Sequence, residues 1–486
     1  MMDNHRNYRL LILVQVIVVG FGLALVLPWL ANAQELAAHN KVDAQSNLPA
    51  VTRYYVAITG TGLAPTVDWN GAYTNVQDAL AVATAPSEIW VAKGIYYPDV
   101  GSAQINNAIT ATFQITQGVA LYGGFEFGDT EFSDRDWKTN LTILSGDIDG
   151  NDIHTSGVVL TASNIISDNA LHVVTAHDVT GTAVLDGFTI TAGNANGANL
   201  DGSGGGFLCD SVTAPPVECS PRLSNINFYG NYAGIGGGMF ANAAYHTPSS
   251  ASLTNVGFYG NSAYFGGGMF NFGDDAESSP ELTNVVFSGN QALMDGGGLH
   301  NYSTDEGSTN PTLTNVTFSG NYAVEQGGGI YTFCKDGVSS NPDVRNSIMW
   351  NNKDSSGTGT ISATIFLTGS SSISLTHSLV QNSFPEDSWI AGNYKNGGGN
   401  IDEDPLFVNP INPSDAPTIA GNLRLQDGSP AIDAGDNKLT PGVPIDKGGE
   451  QRIVDGNLDG TPLVDMGAYE YQVPYNYDRN LPLVFR

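Results

Sequence analysis

Leu253-Thr-Asn-Val-Gly-Phe258 alternates apolar positions with polar or small ones, and the same alternation returns about thirty residues away at Leu223, Leu282 and Leu313. Period two is the side-chain period of a strand, and no copy places apolar residues at helical spacing. Each strand closes alike: Asn225-Ile-Asn-Phe-Tyr-Gly-Asn231, Asn255-Val-Gly-Phe-Tyr-Gly-Asn261, Asn284-Val-Val-Phe-Ser-Gly-Asn290 and Asn315-Val-Thr-Phe-Ser-Gly-Asn321. Glycine triplets then begin at Gly236, Gly266, Gly296 and Gly327. The leading asparagines step by 30, 29 and 31 positions and the triplets by 30, 30 and 31. A fixed period in this range marks a solenoid, whose units bury their apolar faces only by stacking. Strands that recur with no helix between them pair in parallel only if the chain coils, each rung adding about 4.8 Å. The expected fold is all-β, a right-handed single-stranded parallel β-helix, its hand taken from the rule for parallel crossovers.

Within such a coil Asn231, Asn261, Asn290 and Asn321 stack, each amide bonding to the next, and the same residues are expected to turn the corner through the left-handed conformation. Asn346-Ser-Ile-Met-Trp-Asn-Asn352 and Thr376-His-Ser-Leu-Val-Gln-Asn382 extend the ladder to Asn352 and Asn382. Upstream, His172-Val-Val-Thr and Leu185-Asp-Gly-Phe-Thr-Ile read as earlier rungs with longer loops. The phenylalanines are expected to form an internal stack, and the triplets to supply positive φ and close approach between rungs. At roughly thirty residues per rung, residues 90 to 385 hold nine or ten rungs, a rod of about 45 Å.

The ends read differently. Arg6 and Arg9 precede an apolar run from Leu10 to Leu27, and Ala31-Asn-Ala33 has the small residues of a cleavage site, so residues 1–33 are expected to be a signal peptide. The run is also long enough for an uncleaved N-terminal membrane segment, and either reading exports the body. Residues 34–52 read as a disordered leader, 53–399 as the β-helix with an N-terminal cap, 400–471 as a loop-rich C-terminal cap and 472–486 as an exposed tail. Leu406, Phe407, Leu423, Leu425, Ile432 and Ala468 are apolar in a stretch rich in Asp, Gly and Pro, so the C-terminal cap is expected to dock on the rung near Ile373 to Val380.

Eighteen basic residues against 48 acidic ones leave a net charge of −30. That balance excludes nucleic acid and anionic lipid surfaces as natural partners. Export agrees with the cysteines: Cys209 and Cys219 bracket a Pro-rich loop that a disulfide can close, leaving Cys334 unpaired.

Three segments carry resemblances. The Phe-x-x-Asn motif at Phe228/Asn231, Phe258/Asn261, Phe287/Asn290 and Phe318/Asn321 resembles the repeats of chlamydial polymorphic outer-membrane proteins. It departs from them by a third glycine before Met239, Met269, Leu299 and Ile330. Tyr54-Tyr-Val-Ala, Asn75-Val-Gln-Asp-Ala-Leu80 and Glu88-Ile-Trp-Val-Ala-Lys-Gly-Ile-Tyr-Tyr97 look like the opening of pectate-lyase-like β-helix proteins. That likeness implies a capping helix at about Val76 to Ala83. Gly399-Asn-Ile-Asp-Glu-Asp-Pro-Leu-Phe407, Leu423-Arg-Leu-Gln-Asp-Gly-Ser-Pro-Ala-Ile-Asp-Ala-Gly435 and Val464-Asp-Met-Gly-Ala-Tyr-Glu470 are similar to the choice-of-anchor Q domain of bacterial surface proteins. These resemblances imply architecture and a secreted or cell-surface address. The pectate-lyase-like fold hosts lyases, hydrolases, esterases and non-catalytic adhesins alike, so the fold selects no activity.

Catalysis on a β-helix needs groups clustered on one outer face. Between residues 180 and 385 the cationic candidates are Arg222, Lys335, Arg345 and Lys353, none at equivalent places in neighbouring rungs with an acidic partner. Asp274, Asp275, Glu277, Asp305 and Glu306 lie in loops, where solvated charge is the plain reading. No catalytic residue is therefore assigned. Asp147-Ile-Asp-Gly-Asn-Asp152 and Asp455-Gly-Asn-Leu-Asp-Gly460 begin like calcium loops but carry Val158 and Met466 where the closing Glu belongs. Asp455, Asn457 and Asp459, completed by Asp465, are the candidate Ca²⁺ ligands, and Asp-Gly and Asn-Gly turns explain both loops without metal.

The leading expectation is a secreted or surface-attached monomeric rod without catalytic activity, adhesin-like or binding an extracellular polysaccharide or other cell-surface ligand. The alternative is a polysaccharide lyase or glycoside hydrolase with Tyr232, Tyr264 and Tyr322 as stacking platforms.

Overall fold

The computed structural model describes residues 51–211, 217–244, 246–335, 337–384, 390, 392–440 and 442–474. The expected signal peptide, most of the leader and the tail beyond residue 474 lie outside them. The chain coils as a parallel β-solenoid whose repeated rungs have four faces. In the rung of residues 252–274 these are Ser252–Thr254, Gly257–Tyr259, Ser262–Phe265 and Met269–Asp274. The first face is an 11-stranded sheet from Thr52–Val56 to Tyr394–Asn396, and the other three have nine, seven and eight strands.

The register converts the sequence period into columns. Leu185, Leu223, Leu253, Leu282, Leu313, Val344 and Leu375 pair in succession along the first face and are fully buried. Phe228, Phe258, Phe287 and Phe318 stack inside the second, with centroids 4.9, 4.7 and 4.5 Å apart. Asn231, Asn261, Asn290, Asn321 and Asn352 follow as a column with no exposed surface. Each of the first four donates Nδ2 to the next Oδ1 at 2.9–3.0 Å. The backbone N–H of each reaches the same oxygen at 3.0–3.1 Å.

Two expectations about this ladder are corrected. Asn382 is not a member: it carries φ 60°, in register with Asn351 at φ 56°, and the interior slot falls to Ser383. Nor do the ladder asparagines turn the corner. The left-handed residues are the leading asparagines, Asn225, Asn255, Asn284, Asn315 and Asn346, together with Gly230, Gly260, Gly289 and Gly320. The first glycine of each triplet has φ between 66° and 72°. At the second, a Cβ would meet a carbonyl oxygen of the next rung, as at Gly237, where Ser262 O would lie 2.5 Å away.

The helix Val76–Leu80 starts at Asn75, whose side chain accepts from the Asp78 N–H, and it buries Val76 and Ala79 in the main core. It ends at Leu80, short of the expected Ala83. Among the described residues no helix is long and apolar enough to cross a membrane. Cys209 and Cys219 form a disulfide in the coil interior, and Cys334 is free and buried.

The C-terminal segment corrects a further expectation. It reaches the last rungs through the Leu379–Ile401 bridge, but it also runs back along the outside of the second face. Thr418 N–H donates to Gly289 O at 2.9 Å, Ala468 N–H to Thr317 Oγ1 at 2.9 Å, and Lys447 Nζ to Asn227 Oδ1 at 2.9 Å. Phe407, Ile411, Leu423, Leu425 and Met466 thereby cover the outward Val286, Ile348 and Leu379. The apolar set read from sequence is a lateral strap as much as an end cap, because the second face offers apolar side chains outward over several rungs.

A buried ionic group ties this strap together. Arg452 Nη1 lies 3.8 Å from Glu470 Oε2, both side chains essentially inaccessible, and Arg452 Nη2 donates to Gly467 O at 2.5 Å. Burial holds the Glu470 and Asp465 carboxyls above the ordinary range, with their mutual repulsion adding to it at Glu470. In the unfolded chain both ionise first, so the unfolded state binds fewer protons and stability falls as pH rises towards the raised values. Glu470→Gln is expected to flatten the pH dependence of thermal unfolding between about pH 5 and pH 8; a slope equal to the parent's would contradict this.

Candidate ligand-binding groove on the fourth face

The fourth face stacks Met239–Ala243, Met269–Asp274, Leu299–Thr304, Ile330–Cys334 and Ile365–Thr368 in register. Strand alternation sends Met239, Met269, Leu299, Ile330 and Ile365 into the core and turns the next residue outward. Outside, therefore, Phe240, Phe270, His300, Tyr331 and Phe366 form a column with ring centroids 5.8, 4.5, 4.6 and 5.5 Å apart. Two positions further along, Phe272, Tyr302 and Phe333 form a second, spaced 5.7 and 4.9 Å. Between the columns Asn271 points inward and donates to Asn301 Oδ1 at 2.9 Å, and Asn301 to Thr332 Oγ1 at 3.2 Å. Ile235 and Phe265 of the third face, with Asp274, Asp295, Thr304 and Asp305, join all these rings but Phe366 in lining a groove of about 600 Å³.

The polar groups of the groove differ in state. His300 lies between Phe270 and Tyr331, with Nδ1 3.3 Å from the Asp295 carbonyl oxygen, and burial pushes its pKa down to about 3, so the ring is neutral. Burial pushes the half-buried Asp295 carboxyl up to about 6, against the Gln326 N–H that lowers it. Asp274 is also raised, by desolvation first and then by Asp305 and Asp275. Asp305 pairs with Lys335 Nζ at 3.0 Å, which holds its carboxyl down.

Of the residues singled out from sequence, three lie at or beside this groove against expectation: Asp274 ends a strand instead of lying in a loop, and Asp305 pairs with Lys335 of the neighbouring rung, while the three tyrosines lie elsewhere. Tyr232 and Tyr322 belong to a third-face column with Ser262 and Gln291, and Lys353 sits over the Tyr322 ring at 4.7 Å. Tyr264 is half-exposed on the same face. Of the candidate calcium ligands, Asp455, Asn457 and Asp459 share one loop and Asp465 does not join them. Asp455 and Asn457 accept from the Asp459 N–H at 3.1 and 2.9 Å, Asp455 also from Gly460, and Asp459 from Thr461, so the loop satisfies itself as a turn. Asp465 instead accepts from the Asp433 and Tyr471 N–H groups inside the buried ionic group. Among the described residues no three His, Cys, Asp or Glu side chains are arranged to hold a metal ion. The groove aromatics did have a signal: the second and fourth residues after a triplet are aromatic or histidine in Gly-Met-Phe-Asn-Phe272, Gly-Leu-His-Asn-Tyr302 and Gly-Ile-Tyr-Thr-Phe333.

Residues 315–332 match the Chlamydia polymorphic membrane protein repeat. They run from a left-handed corner asparagine through a ladder asparagine and a triplet into the fourth face. Pectate lyase Pel9A is similar in structure with a TM-score of 0.40 and 12% identity, over 87% of this chain and 97% of its own. A rhamnogalacturonan lyase is similar with a TM-score of 0.32 and 11% identity, over 77% and 97%. No curated protein matches the chain.

Proposed function

We propose that this protein is a secreted or cell-surface solenoid that binds an extracellular polysaccharide in the aromatic groove of its fourth face, without transforming it. The observation that carries this reading is the pair of aromatic columns that line one groove. Successive rungs are about 4.8 Å apart, close to the length of one pyranose ring in an extended chain, and aromatic side chains join an apolar body to polar handles at Tyr302 and Tyr331. The Cys209–Cys219 disulfide fits an oxidising compartment. The repeat match to a membrane protein and the resemblance of residues 400–471 to a choice-of-anchor domain support a surface address.

Binding is tested by titrating the full chain with soluble polysaccharides. Phe272→Ala and Tyr331→Ala are each expected to weaken binding by about twofold to tenfold, while Tyr264→Ala, on the third face, leaves it unchanged. Equal loss in all three variants would remove the groove from consideration.

One observation favours hydrolysis as a second reading: a carboxyl raised to about 6, Asp295, stands in the same groove as Asp305, whose carboxyl Lys335 holds down, as a general acid beside an ionised partner would. Turnover of a bound polysaccharide that disappears in Asp295→Asn would replace the binding reading with this one.

A further inference from the structure

Carboxyl groups carry the charge of the groove's polar lining, beside the hydroxyls of Tyr302, Thr304 and Tyr331. Asp274, Asp295 and Asp305 offer carboxylate oxygens, which when ionised only accept hydrogen bonds. The cation beside them, Lys335, is already paired with Asp305. His300 adds a further acceptor. Its Nδ1 faces the Asp295 carbonyl, which can only accept, so the proton sits on Nδ1 and the lone pair on Nε2. Nε2 has no hydrogen-bond partner, although the side chain is 2% exposed. A buried acceptor without a donor is costly to leave unmade. The groove's net negative charge, on a chain of net charge −30, suits a ligand that brings cationic groups and no further anions. Aromatic rings beside carboxylates also attract ammonium groups through their negative faces.

We propose that the ligand is a chain of amino sugars carrying free ammonium groups, held with its rings along the aromatic columns and its ammonium groups towards Asp274 and Asp295. This rests on the polysaccharide-binding reading above. It sets this groove apart from one suited to uronates, whose carboxylates would meet Asp274, Asp295 and Asp305 with like charge.

The test is calorimetric titration of the full chain at low salt with three oligosaccharides of equal length: a glucosamine oligomer, a glucose oligomer and a galacturonate oligomer. The glucosamine oligomer is expected to bind about fivefold to tenfold more tightly than the glucose oligomer. Added salt should narrow the difference, and the galacturonate oligomer should bind least. Asp274→Asn and Asp295→Asn are expected to narrow the ratio of the first two affinities, with unchanged melting temperature confirming that each variant is folded. Equal affinity for the glucosamine and glucose oligomers, or tighter binding of galacturonate, would overturn the charge inference and leave polysaccharide binding standing. Binding of none of the three would overturn both.

Discussion

A chain ending at Asn400 is expected to self-associate and to melt well below the parent. The strap of residues 401–474 covers Val286, Ile348 and Leu379, outward side chains of the second face that have at most 1% of their surface exposed while it is in place. Uncovering each forfeits about 1.5–3 kcal/mol of burial and creates a contiguous apolar stripe of the kind that soluble monomers rarely show. Two hydrogen bonds go as well: Asn284 Nδ2 loses the Ile445 carbonyl at 2.7 Å, and Asn351 Nδ2 that of Ile411 at 2.6 Å. Light scattering after size exclusion and a thermal melt check the outcome. A truncated chain that is monomeric, with the parent's melting midpoint, would show the strap to be an independent domain that the solenoid does not need.

Asn261→Leu is expected to rank among the most damaging single substitutions in the coil. Leucine shares asparagine's branching but is bulkier and has no hydrogen-bonding group, so lost hydrogen bonds and crowding act together. The Asn231 N–H donates to Asn261 Oδ1 at 3.0 Å, and Asn261 Nδ2 donates to the Phe228 carbonyl at 3.0 Å, all in an interior without exposed surface. Asn231 Nδ2 also loses Asn261 Oδ1, and Asn290 Oδ1 loses Asn261 Nδ2, so both neighbouring rungs are left short of a partner, and each orphaned buried group costs about 1–3 kcal/mol. Denaturant unfolding compared with the surface variant Tyr264→Ala measures the difference. Coincident midpoints for the two variants would mean that the asparagine column contributes no stability.

The rungs, the interior leucine and phenylalanine columns and the ladder from Asn231 to Asn352 were legible in the sequence because a solenoid maps sequence period directly onto spatial contact. Residues thirty apart are neighbours, so one alternation and one period determine which side chains meet. The same arithmetic failed at Asn382, where counting residues cannot tell a left-handed corner from the interior slot one residue later; the backbone places Asn382 at the corner and Ser383 inside. It failed at the calcium candidates too, because Asp465 follows Asp455 closely in the chain yet turns into a buried ionic group instead of towards that loop.

What the chain determined by itself is the coil, its period and its core. What only the tertiary structure decided is the outer surface: which side chains form the groove, and where the strap lies. Phe270, His300 and Tyr331 repeat at one place after each triplet, but only the structure shows that Ile235 and Phe265 of the third face and the acids Asp274, Asp295 and Asp305 close around them as a groove. The apolar residues of the strap announce that they must be buried without saying against what. Burial inside the coil is dictated by alternation within a strand, a local property, whereas the outer surface depends on which rungs and loops come side by side, and that follows from pairing between residues far apart in the chain.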